Sequence, residues 1–145
     1  MLVATAIPGA ITSERSLDPI HNSIVVGWAG VLGGIASGIV MGLFFHHDAW
    51  LGGYGSFRRR LLRLGHIAFF GLGFINLLFA FSVRTLPIPT LYAAVASGGF
   101  IVGAVTMPIA CFLTAWRAQF RHLFPVPVGS VLVGIVALLT GWSSV

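Results

Sequence analysis

The sequence predicts an all-α integral membrane protein folded as a compact four-helix transmembrane bundle. Three observations carry that expectation. The 145 residues are 57% hydrophobic and only 8% charged. Mean hydropathy is +1.00, more apolar surface than a soluble domain of this length can hide. The apolar residues fall into runs of membrane-crossing length, and arginines and prolines collect between them.

Residues 1–22 are mixed in character and hold Pro8, Glu14, Arg15 and Asp18. They read as a short N-terminal flank, with a turn starting in Ser13 to Asp18 and no basic leader of a cleavable signal peptide. Residues 23–145 form the membrane domain. Its first span covers about 23–45, with Trp28 near its start and Trp50 just beyond its end as interfacial anchors. The connection 46–63 mixes aromatics with Gly52, Gly53 and Gly55, and ends in arginines. It reads as a loop along the headgroup layer. Its glycines lack the Lys-Ser/Thr end of a phosphate loop, and no strand precedes them.

The second span covers about 64–83, followed by Arg84, Pro87 and Pro89. The third covers about 91–116 and contains Pro108, which removes one backbone donor and predicts a kink near Gly103 to Pro108. Pro125 and Pro127 punctuate the next turn, and the fourth span covers about 128–142. Arginine counts orient the chain. Arg58, Arg59, Arg60 and Arg63 lie in one connection and Arg117 and Arg121 in another, against Arg15 and Arg84 on the other side. The positive-inside rule places the richer connections in the cytoplasm and both termini outside.

The net charge of +5 arises from eight arginines, with no lysine, against Glu14, Asp18 and Asp48. The arginines sit at the ends of apolar runs, which suits topology and lipid headgroups and excludes a nucleic-acid footprint. An arginine-only cation set points to a GC-rich bacterial gene, and so to a bacterial inner membrane. The lone Cys111 excludes an intramolecular disulfide and a multi-cysteine metal site within the chain.

Apolar helices gain little by hiding from lipid, so packing must come from close approach and interhelical hydrogen bonds. Gly30, Gly34, Gly38 and Gly42 form a glycine-zipper pattern about 18 Å long on one face of the first span. The stripe suits packing within the bundle, and its length makes it the candidate contact with another subunit. The third span offers Ala96, Gly99, Gly103 and Ala110; the fourth, Ser130, Gly134 and Gly141. The second places His66, Phe69, Gly73, Asn76 and Ala80 on one side. Asn76 is the one strongly polar side chain deep in a span. It should bond across helices, to Thr106 or to a carbonyl freed by Pro108.

Four histidines, His46, His47, His66 and His122, fall at one depth in this topology. Imidazoles from different helices could ligate haem b or a metal, with His66 the leading ligand. Histidines also collect at interfaces without any ligand. No Asp, Glu, Lys or Arg lies in mid-span, which argues against an ion-coupled transporter. No acid–histidine–nucleophile arrangement suggests hydrolysis, so no catalytic residue is assigned. The leading expectation is a small non-catalytic subunit of a larger membrane complex, with an electron-transfer complex as the preferred host and lipid and other membrane subunits as partners. The alternatives are a haem- or metal-binding membrane protein using the interfacial histidines, and a small homo-oligomeric transporter or channel.

Overall fold

The computed structural model describes residues 19–144. The flank features expected at Ser13 to Asp18 lie outside them. Four long helices make up the fold: α1 (Pro19–Phe44), α2 (Phe57–Thr85), α3 (Thr90–Trp116) and α4 (Pro125–Ser143). Single 3-10 turns lie at Trp50–Gly52 and Ala118–Leu123. All four are long and apolar enough to cross a membrane, and no strand occurs among the described residues.

The helix ends depart from expectation for identifiable reasons. Pro19 opens α1, so residues 19–22 belong to the helix rather than to the flank. Ser56 caps α2, its hydroxyl accepting from the Arg59 amide at 3.2 Å. The arginine run is therefore wound into the first two turns of α2, and only residues 45–56 remain as connection. Pro125 and Pro127 do not merely precede α4; they form its first turn, where a missing N–H leaves no bond unmade. Pro108 lies buried inside a continuous α3.

Consecutive helices pack pairwise, α1 on α2, α2 on α3 and α3 on α4, with a smaller contact between α1 and α3. Neither α1 nor α2 has a comparable contact with α4. The arrangement is therefore a chain of helix pairs, with α1 and α4 at its ends. The largest cluster of buried apolar side chains gathers Phe79, Ala93, Ala96, Phe100 and Ala137, near the end of the bundle away from the arginine run. There Phe79 and Phe100 meet edge to face at 5.4 Å.

Glycine sets the spacing of two pairs. A Cβ on Gly30 would stand 2.9 Å from the Phe69 carbonyl oxygen and 3.0 Å from the Gly73 Cα, so α1 and α2 touch backbone to backbone there. Gly34 and Gly38 make room for the rings of Phe70 and His66, while Gly42 faces open space. Three members of the stripe are thus occupied by α2, not free for a second subunit. On the other side, a Cβ on Gly99 would lie 2.5 Å from the Ser130 carbonyl oxygen and 2.9 Å from the Gly134 Cα. Gly103 accommodates the Val131 side chain.

Adjacent glycines supply a test. Gly98 has nothing within 4 Å of its absent Cβ, whereas Gly99 meets backbone that cannot swing aside. Gly99→Ala is expected to destabilise the α3–α4 pair by about 2 kcal/mol, and Gly98→Ala to leave stability unchanged or slightly raised. Reversible unfolding of both variants in mixed micelles measures the difference.

Candidate functional site

The most unusual chemistry lies at the arginine end, where the α1–α2 connection folds back over the start of α2. Arg59 is only 3% exposed. Its guanidinium lies 4.9 Å from the Phe45 ring centroid, 5.5 Å from that of Trp50 and 5.4 Å from that of Tyr54. One Nη donates to the Phe45 carbonyl at 3.3 Å, and Nε has no partner. Among the described residues no carboxylate bonds to it. The charge is held by ring quadrupoles and a carbonyl instead.

Arg63, one turn later, repeats the motif. It stacks on Tyr54 at 4.6 Å and donates to the Tyr54 carbonyl at 3.1 Å. Phe44 stacks on Trp50 with centroids 5.5 Å apart, closing the loop onto the end of α1. These contacts hold the connection in a costly backbone shape. Leu51 has φ 56°, and Gly52 and Gly53 follow at 86° and 93°. Glycine accepts such angles freely; leucine does so at a cost of about 1 kcal/mol or more. The four arginines assigned to topology therefore divide. Arg58 and Arg60 are exposed and free to meet headgroups, whereas Arg59 and Arg63 fasten the loop. Arg117 and Arg121 are exposed at the far end of α3 and in the following 3-10 turn.

The histidines do not form one site. His46 and His47 are exposed beyond α1, their rings 3.9 Å apart, and His122 is exposed in the second 3-10 turn. His66 turns inward between α1 and α2. Its Nδ1 hydrogen-bonds the Ser37 hydroxyl at 3.0 Å, and its ring meets Phe70 edge to face at 5.3 Å. Ser37 also donates to the Gly34 carbonyl at 3.0 Å. The His66 ring fills the space beside Gly38, and the backbone of α1 at Gly27 and Gly30 fills the space beside Gly73, where sequence spacing offers room to a flat cofactor. Among the described residues no group of three or more His, Cys, Asp or Glu could hold a metal. Gathering residues at one depth does not bring them to one azimuth.

Asn76 is fully buried and does cross-link helices, but to neither expected partner. Its amide nitrogen donates to the Leu72 carbonyl at 2.9 Å and to the Phe100 carbonyl of α3 at 3.2 Å. Thr106 instead donates to Val102 within its own helix at 2.6 Å. The Asn76 Oδ1 has no partner. A second clamp escaped the sequence reading. The Ser23 and Ser97 hydroxyls meet at 2.9 Å, fully buried, and Ser97 donates to the Pro19 carbonyl at 3.1 Å. It joins the starts of α1 and α3. Its one sequence signal is a pair of small polar residues at equal depth on two parallel helices.

Compared with protein-family models, curated proteins and solved structures, the chain matches none of them.

Two outcomes follow from this geometry. Arg59→Ala is expected to cost about 2–3 kcal/mol and to expose the Trp50–Ser56 loop to protease, while Arg60→Ala leaves the loop protected. Limited proteolysis in detergent reads both. For Asn76, an interhelical bond in lipid averages about 0.6 kcal/mol, less than an orphaned buried acceptor costs. Asn76→Leu is therefore expected to preserve or raise stability, as read by thermal unfolding with native size retained.

Proposed function

We propose that the protein is a small integral membrane subunit that docks laterally on another membrane protein and carries no catalytic site of its own. One observation supports this most strongly. Because α2 and α4 do not close on each other, an apolar cleft of about 220 Å³ remains between them. Leu72 lines one side, Met107 of α3 its floor, and Pro127, Val128 and Val131 the other side. The crossing at Gly99 and Gly134 draws α4 against α3 and away from α2, so the cleft is built into the backbone. A ridge of side chains from a neighbouring helix fits such a groove, and in lipid this packing supplies the association energy.

The orientation with both termini outside and residence in a bacterial inner membrane belong to the same reading; the first rests on the arginine asymmetry and the second on the arginine-only cation set. An electron-transfer host leans on the histidines, of which His66 is turned toward Ser37 and the other three of the interfacial set are exposed. The haem- or metal-binding alternative now rests on His66 alone, whose Nδ1 is already engaged by Ser37.

The test is the native mass of the protein after mild extraction from its source membrane, with identification of co-purifying chains. Leu72→Cys and Val131→Cys, each in a Cys111→Ala background, are expected to cross-link to the same neighbouring protein. Leu78→Cys, on a lipid-exposed face, is expected to give no such product. A particle containing only copies of this chain would sink the reading and favour the homo-oligomeric alternative.

A further inference from the structure

We propose that the arginine end of the bundle holds a specific anionic phospholipid, with its headgroup at Arg58 and an acyl chain in the groove that adjoining hollows form over Leu62 and Phe112, beneath the α1–α2 connection. At the opposite end α1 and α3 are tied by the Ser23–Ser97 hydrogen bond. Toward the arginine end a hollow of about 380 Å³ lies among α1, α2 and α3 under the connection, and one of about 360 Å³ lies between α2 and α3 beside it. The two hollows adjoin through the shared side chains Leu51, Leu62 and Phe112. Arg58 and Trp116 stand in the outer part, and Val40, Met41 and Ser37 line the inner part.

The groove is amphipathic in the sense a phospholipid requires. Its inner wall is almost wholly apolar. At its outer part stands an exposed guanidinium with no acidic partner among the described residues. Arginine matches the planar, bidentate geometry of a phosphate better than any other side chain. An apolar slot with one cation at its mouth selects a molecule with an anionic head and a hydrocarbon tail. A helix from a partner protein would need a carboxylate at one fixed height and a flat face elsewhere.

The loop gives the groove its shape. Leu51 lines both hollows while its backbone occupies the left-handed region that disfavours leucine. Such strain persists where surrounding contacts enforce it, and it concentrates at ligand clamps. Here the enforcing contact is the buried Arg59, which pins Phe45, Trp50 and Tyr54. Arg59 thus acts as a positioning residue for Trp50 and Leu51, and Arg58 beside it meets the ligand.

Tryptophan provides the readout. Trp50 lines the inner hollow and is half-buried, while Trp28, Trp116 and Trp142 are exposed. A Trp28→Phe, Trp116→Phe, Trp142→Phe protein leaves Trp50 as the one groove reporter. It is placed in phosphatidylcholine vesicles with a minor share of phosphatidylglycerol, and bromine is carried on the acyl chains of one lipid or the other. Brominated phosphatidylglycerol is expected to quench about fivefold more per molecule than brominated phosphatidylcholine, the preference one arginine supplies at a membrane surface. Arg58→Gln should abolish the preference and Arg60→Gln, one turn-face away, should retain it. Leu51→Gly should raise thermal stability yet weaken the preference. Equal quenching by both lipids overturns the proposal. So does equal loss in Arg58→Gln and Arg60→Gln, which would mean bulk surface charge alone. A reporter shielded from both lipids by a co-purifying protein would assign the groove to that protein instead.

Discussion

Backbone contact through glycine is the constraint on which the rest of this structure depends. Water supplies no drive to bury one apolar helix against another inside a bilayer, so the helices must gain their energy by approaching closely. Gly30 against Gly73 and Gly99 against Gly134 permit that approach for the outer pairs. Between them, α2 and α3 meet through larger side chains, Phe79 against Phe100, with Asn76 bridging to the Phe100 carbonyl. The helices pack in series, and α1 and α2 make no comparable contact with α4. A cleft beside Met107 and a hollow beside Phe112 remain between the helices.

Polar groups are used sparingly, and each has a mechanical role. The Ser23–Ser97 bond ties α1 to α3 at one end, and Asn76 ties α2 to α3 at mid-helix. At the other end a charge does the same work. An arginine held by three aromatic rings, with no carboxylate partner among the described residues, fixes the loop without requiring a second buried ion there. A buried ion pair would need to offset two desolvation costs rather than one. The strained Leu51 is the local consequence, and it places a large apolar side chain where an exposed loop would ordinarily present a small or polar one.

The histidines show what spacing along a chain leaves open. Each of His46, His47, His66 and His122 lies near the end of an apolar run, which is the sequence argument for a shared depth. Depth fixes one coordinate only. His66 points from α2 toward Ser37 of α1, while the other three lie outside the helices on exposed segments. Nothing in the one-dimensional pattern carries the rotation of each helix about its own axis, and that rotation decides which imidazoles meet.

The sequence by itself determined the four apolar helices, because length and hydropathy are additive along the chain and need no partner to be read. It also marked Asn76 as an interhelical bond, since a buried amide in hydrocarbon must find an acceptor. Tertiary structure decided everything that depends on azimuth and on loop path. It chose Phe100 rather than Thr106 as the Asn76 partner, and turned Gly30, Gly34 and Gly38 toward α2. It also separated Arg59 from its exposed neighbours Arg58 and Arg60. Consecutive residues on a helix point about 100° apart, so one arginine enters an aromatic cage while those beside it stay at the surface. Only packing determines which of the three it is.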